Sequence, residues 1–287
     1  MNTKNYKFNF KKKLILGMAQ FGYPYGINNT RKKRISIKNI NKVFEFFIKN
    51  DLNQVDTAEG YGVNWNNLKK FNLKIDTKII IDKKNLNEDK FLDLIDKYKI
   101  NQKNLINIIY IHNPEKLFSA YGKKTFSLLK KLKKKKFFNK IGITIYDLNL
   151  LKKIVKNFKF DVVQIPYSIL DRRFETYFKI LKKKKILIFV RSIFLQGTLI
   201  SEQKNYISQS PEVKSFKYFI NKYKINPKYA CIQFVLENKL VDKIIVGVDH
   251  YKQLREILDY SYDEKLKKLK DLSSSNLKII DPRFWID

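Results

Sequence analysis

The chain has 287 residues, 44% hydrophobic and 14% aromatic, enough apolar side chain to bury a substantial core and exclude a disordered polymer. A single cysteine, Cys231, excludes an intrachain disulfide and fits a reducing compartment. Sixty Lys+Arg against 27 Asp+Glu give a formal charge of +33, which alone would point to nucleic acid or an anionic surface. The N-terminus, MNTKNYKFNFKKK, is charged without the apolar core of a secretory signal. No apolar run approaches the roughly 20 residues needed to span a bilayer, so a cytoplasmic protein is expected. Short apolar runs predict strands near 14–19, 53–57, 74–80, 107–112, 140–145, 161–165, 186–191 and 243–247. Between them lie segments with apolar residues at helical spacing, among them 43–50, 91–98, 126–135, 148–158 and 174–183. Repeated β–α units in a chain of this length predict a closed (β/α)8 TIM barrel, a single domain with core about 14–260 and a tail over 261–287. The connection 62–73 is short. The connection 192–242 is a long loop/helix insertion between strands 7 and 8, with helix starts marked by Ser210-Pro211 and Asn226-Pro227.

The lysine excess is explained by position and by codon usage. Asparagine, isoleucine, phenylalanine and tyrosine are abundant alongside lysine, and these residue types share A- and T-rich codons. Arginine, the better reader of bases and phosphates, is scarce. The densest runs, Lys11–Lys13, Lys133–Lys136 and Lys182–Lys185, each precede a strand, which puts them in αβ loops at the bottom of the barrel. No specific nucleic-acid or membrane partner is therefore expected.

Four polar residues end apolar runs in the first 112 positions: Asp56 and Tyr61 in NQVDTAEGYG, Lys78 in LKIDTKIII and His112 in INIIYIHNP. Parallel strands deliver their C-termini to one mouth, and neighbouring strands lie about 4.8 Å apart, so these side chains can converge. An ammonium beside a phenol favours the phenolate, a carboxylate holds the ammonium in place, and an imidazole can hydrogen-bond a substrate oxygen. Such a set suits proton donation to an oxyanion formed from a carbonyl. Taken singly, the aspartate reads equally as a cap, the tyrosine as a turn residue and the lysine as one of many. All four, in order on separate βα units, carry the inference.

DTAEGYG, followed by DTKI and YIHNP, resembles the aldo-keto reductase superfamily. LGMAQFGYPYGI (16–27), IGITIYD (141–147), DVVQIPYSILDRR (161–173), VRSIFLQGTL (190–199) and KIIVGVDHYKQLREI (243–257) are similar to its remaining strand motifs, and the tail DPRFW to one bacterial branch. The resemblance implies a (β/α)8 carbonyl reductase with Tyr61 as general acid, Lys78 and Asp56 as its supporting pair and His112 orienting the carbonyl. It implies cofactor contacts at Gly17, Met18, Asp56, Thr144, Gln164, Arg191, Ser192, Gly247, Val248 and Gln253, with hydride from a nicotinamide and no metal. NADPH is the family habit, with NADH as the alternative. The family's Ser-Asn pair reads Thr144-Ile145 here, its nicotinamide-stacking tyrosine reads Arg191, and its 2′-phosphate cations align with Gly247 and Gln253. Lys252 and Arg255 stand nearby in sequence as substitutes. Asp249 and His250 read equally as cofactor contacts or helix caps. The expected substrate is a small aldehyde, ketone or sugar, bound by a monomer or small homo-oligomer. The alternatives are a cofactor-binding regulatory barrel of the potassium-channel β-subunit kind and a basic nucleic-acid or anionic-surface binder.

Overall fold

The computed structural model describes residues 10–23, 26–27, 35–63, 68, 70–82, 89, 92–93, 96 and 105–285. Eight strands, β1 (Leu14–Gly17), β2 (Gln54–Asp56), β3 (Lys74–Ile79), β4 (Leu105–Ile111), β5 (Lys140–Thr144), β6 (Val162–Pro166), β7 (Leu187–Arg191) and β8 (Lys243–Gly247), close in sequence order into one barrel. Every neighbouring pair is parallel, including β1 with β8 across the closure. All eight predicted strands are present, because strands buried on both faces read as continuous apolar runs.

Among the described residues, the helices of six residues or more that form the outer layer are α1 (Ile37–Lys49), α2 (Ala120–Lys134), α3 (Leu148–Asn157), α4 (Phe178–Lys183), α5 (Pro211–Tyr223), α6 (Pro227–Glu237) and α7 (Tyr251–Leu258). Their starts follow side-chain capping. Ser36, Ser119, Asp147, Ser210 and Asn226 each accept a hydrogen bond from a backbone N–H of the first turn. The Ser-Pro and Asn-Pro starts in the long insertion are thus where the sequence puts them. The predicted helix over 91–98 falls mostly outside the described residues. Among the described residues, no helix is long and apolar enough to cross a membrane.

Two apolar regions hold the layers together. The larger lies between strands and helices and includes Phe44, Phe47, Leu151, Ile154 and Phe216. The smaller fills the barrel interior with Ile15, Ile108, Tyr110, Val162, Phe189 and Ile245, the inward half of the strand alternation. Gly142 on β5 makes room for the Tyr110 ring, since a Cβ there would lie 2.2 Å from it.

The lysine runs sit at the strand N-termini, where a repeated device absorbs part of their charge. Lys133 donates to both oxygens of Asp161 at 2.6 Å, and Asp161 also accepts the Ile141 N–H at 2.8 Å. Lys182 donates to both oxygens of Asp242 at 2.8 Å, and Asp242 accepts the Ile188 N–H at 2.7 Å. Elsewhere lysine occupies positions that suit glycine. Lys136 (φ +63°) and Lys185 (φ +59°) take the left-handed conformation just past α2 and α4. Both are exposed. Lys136→Gly and Lys185→Gly are each expected to stabilise the fold by about 0.5–1 kcal/mol in chemical denaturation, whereas unchanged midpoints would show the left-handed cost to be negligible.

Candidate active site

The strand C-termini open into a cleft of about 460 Å³, and the residues just past the strands are tied across it by backbone bonds. Met18 N–H donates to the Asp56 carbonyl at 2.9 Å, Thr57 N–H to Asp76 at 2.8 Å and His112 N–H to Ile79 at 2.8 Å. These bonds carry the parallel ladder one residue beyond each strand. Tyr61 lies on a 3-10 turn, Glu59–Tyr61, that Gly62 ends at φ +62°. Asp56, Tyr61, Lys78 and His112 all line the cleft.

Lys78 is the centre of the cluster. Its Nζ donates to Asp56 Oδ2 at 2.6 Å and to the Thr57 carbonyl at 2.9 Å, and stands 5.0 Å from the centre of the Tyr61 ring. Burial alone would lower the Lys78 pKa, yet Asp56 and then Tyr61 hold it above the ordinary lysine value, so the side chain is charged. The second Asp56 oxygen accepts from Gln164 Nε2 at 2.7 Å, a bond that links β2 to β6 across the barrel. His112 is pushed below the usual histidine range by burial first and then by Lys78 and Arg191, against the pull of Asp56. The residue is nonetheless exposed where it lines the cleft. Its Nδ1 lies 3.4 Å from Thr144 Oγ1. A Thr144 hydroxyl donating to Nδ1 leaves the proton on Nε2, the tautomer that can donate to a substrate oxygen.

Of the remaining residues expected around a cofactor, Gly17, Thr144, Gln164, Arg191, Ser192, Gly247, Val248 and Gln253 line the same cleft. Met18 does not. It is wholly buried in the outer core, and only its backbone reaches the mouth, through the bond to Asp56. Ser192 turns the chain out of β7 at φ +61°, a strained conformation for a non-glycine residue and one that clusters at functional sites. Arg191 is held by a neighbouring ring: its guanidinium lies 4.1 Å from the centre of the Tyr146 ring and its Nη1 donates to the Tyr146 hydroxyl at 2.9 Å. Arg283 from the tail covers the same ring at 4.2 Å.

At the β8 end the two readings of Asp249 and His250 separate. His250 is the cap of α7, its Nδ1 accepting from the Lys252 N–H at 3.2 Å. Asp249 lines the cleft, and its N–H donates to Gln253 Oε1 at 2.7 Å. Lys252 and Arg255 are exposed and are not among the lining residues. Lys228, which does line the cleft, is ion-paired with Glu256.

Sequence reasoning missed Gly22, which sits in a single helical turn, Ala19–Gly22, against the Tyr61 backbone. A Cβ on Gly22 would stand 1.6 Å from the Tyr61 carbonyl oxygen and 2.7 Å from the carbonyl carbons of Tyr61 and Gly62. The only signal was a glycine in the first-strand motif; its partner lies in another βα loop. Gly22→Ala must displace Tyr61, and a displacement near 1 Å is expected to cost about 100-fold in kcat/KM. Wild-type kinetics in that variant would show that the turn is free to move.

A closed parallel (β/α)8 barrel thus gathers a buried acid–lysine pair, a phenol and an imidazole at its strand C-termini. The sequence matches the model of the aldo/keto reductase family over residues 13–274, and the chain belongs to that family of carbonyl-reducing oxidoreductases. Among solved structures it is similar to the holo form of the aldo-keto reductase AKR11C1 from Bacillus halodurans, with TM-score 0.69 and 15% identity over 95% of each chain. It is also similar to the glycerol dehydrogenase AKR11B4 from Gluconobacter oxydans, with TM-score 0.64 and 16% identity, covering 94% of this chain and 92% of that one. No curated protein matches the sequence.

Proposed function

We propose that the protein is a nicotinamide-dependent reductase of a small aldehyde or ketone, in which Tyr61 gives the proton to the substrate oxygen. The observation that carries this reading is the Asp56–Lys78 ion pair lying against the Tyr61 ring inside a cleft that also presents His112. A bound NADH or NADPH would supply the hydride. The chain's own groups do the rest. His112 orients the carbonyl oxygen toward the phenol, Tyr61 releases its proton as negative charge builds on that oxygen, and Lys78 stabilises the phenolate left behind. Asp56 keeps Lys78 charged and fixed, and is itself held by Gln164.

The residues present fit the nicotinamide end of such a cofactor. Gln164 and Thr144 border the cleft beside the tetrad, with the Gln164 nitrogen committed to Asp56. The β8 end offers less to a 2′-phosphate. Asp249 brings a carboxylate, and the N–H groups of Asp249 and Lys252 are taken by Gln253 and His250. NADH is therefore expected to bind at least as tightly as NADPH when both are titrated calorimetrically.

The decisive variant is Tyr61→Phe. With a nitrobenzaldehyde as substrate it is expected to lower kcat by about 10³-fold while leaving the cofactor dissociation constant within a few-fold of wild type. Full turnover in that variant would remove Tyr61 from its role.

A further inference from the structure

Beneath the tetrad the barrel holds a polar layer where such barrels ordinarily stack branched aliphatic side chains. Asp76, on β3, is fully buried. Its Oδ2 accepts from Gln54 Nε2 at 2.8 Å and its Oδ1 from Asn107 Nδ2 at 2.9 Å. Asn107 Oδ1 in turn accepts from Asn139 Nδ2 at 3.3 Å. Asp76 is the cross-strand partner of Asp56 and precedes Lys78 by two residues, so it shares the inward face of β3 with that lysine. The ionisable groups that face it are Asp56 on β2, Lys78 on β3, Tyr110 on β4 and Lys243 on β8, with Lys74 acting on Lys243 from the lower end of β3. Tyr110 stays protonated, because burial and the two carboxylates push its phenol well above the ordinary value.

A leucine at this position would fill the layer with no charge to desolvate, so packing does not explain a carboxylate there. We propose that Asp76 is a positioning residue for the proton donor, an inner carboxylate that acts on Tyr61 through the Asp56–Lys78 pair and sets the pH range over which Tyr61 holds its proton. The inference rests on the reading of Tyr61 given above. Asp56 and Lys78 together are neutral, and Asp76 adds a negative charge only when ionised. Burial, and to a smaller extent Asp56, push its carboxyl up to about 7 against the two amide donors and Lys78. Its charge therefore appears within the working range of an enzyme. Once ionised it offsets the field of Lys78, and Tyr61 keeps its proton to higher pH. While it is protonated, Lys78 acts on the phenol undiminished.

The test is the pH profile of kcat for carbonyl reduction in wild type, Asp76→Asn and Asn107→Leu. Wild type is expected to show an inflection near neutrality. Asp76→Asn loses that inflection, and its alkaline limb moves to lower pH by about half a unit to one unit. Asn107→Leu removes a donor that favours the ionised carboxyl, so the inflection moves to higher pH. In both variants the cofactor dissociation constant stays at the wild-type value, placing the effect on kcat. Profiles that superimpose on wild type, whatever the change in thermal stability, would overturn the proposal. Asn107→Leu decides alone if Asp76→Asn does not fold. Superimposed profiles alongside an inactive Tyr61→Phe remove Asp76 only, whereas a fully active Tyr61→Phe removes both readings.

Discussion

Lys78→Met is expected to abolish carbonyl reduction, lowering kcat by about 10³- to 10⁴-fold, and to destabilise the fold as well. The catalytic loss follows from the geometry: the Lys78 ammonium stands 5.0 Å from the centre of the Tyr61 ring. The stability loss has a separate cause. Lys78 and Asp56 are an ion pair with side chains 3% and 7% exposed, and removing one partner strands the other charge in the barrel. Losses of about 3–5 kcal/mol are usual for such half-pairs. Asp56→Asn/Lys78→Met separates the two effects. With both charges gone the desolvation penalty disappears, and Gln164 keeps an amide partner. The double variant is expected to recover most of the melting temperature and none of the turnover. Recovery of turnover would show that the pair serves only the fold. A loss in the double variant equal to the sum of the losses in the two single variants would show that the pair has no net coupling.

The barrel was legible because most of the strands are short runs of apolar, largely β-branched residues buried on both faces. The tetrad was legible for a related reason: a polar residue at the end of such a run has one place to go, the mouth. Contacts that depend on register between strands were not. Asp76 stands in the quoted DTKI segment, and alternation alone puts it on the face of Lys78. Its amide partners Gln54 and Asn107 lie on other strands, however, and the β3–β4 register shifts between Ile75 and Asp76. No spacing rule predicts a bulge of that kind. Gly22 against Tyr61 and Gln164 against Asp56 are likewise contacts between separate βα units. Met18 reaches the mouth only through its backbone, the part of the residue for which the resemblance implies a cofactor contact, while alternation past Gly17 sends its side chain outward into the core.

The charge reading rests on the same distinction between face and function. The lysine runs precede strands and therefore sit on the face opposite the cleft, where Asp161 and Asp242 each bind one lysine and one neighbouring backbone N–H. Lysines in left-handed positions past α2 and α4 have no such partner role to explain them. They fit a composition that drifts toward lysine wherever the fold tolerates it at modest cost.

The largest expected effect away from the cleft belongs to Asp281. This carboxylate is fully buried, accepts from Arg173 Nη1 at 3.0 Å and from Arg283 Nη2 at 2.7 Å, and takes the Arg283 N–H at 3.1 Å. Arg173 is also bound by Asp171, so the strand-6 motif and the tail motif DPRFW form one network. Asp281→Ala removes the acceptor that both arginines share, and a loss of about 3–4 kcal/mol is expected in denaturant unfolding. Asp171 still partners Arg173, which keeps the loss below that of a charge left wholly alone. The pH dependence has a definite sign. Burial would raise the Asp281 pKa, but the hydrogen bonds from Arg283 and Arg173 prevail and hold it below the ordinary carboxylate value. A folded pKa below the unfolded one means that this stability is present in full above the unfolded value, near 4, and disappears as pH falls through the folded value. Wild type should therefore lose its advantage over Asp281→Ala in acid, and a constant difference across that range would assign the loss to packing instead. The consequence reaches the mouth, because Arg283 is the tail's contact with Tyr146, and Tyr146 lines the cleft beside Arg191. Asp281→Ala is accordingly expected to raise KM more than it lowers kcat, since it frees one side of the cleft wall without touching Asp56, Tyr61, Lys78 or His112.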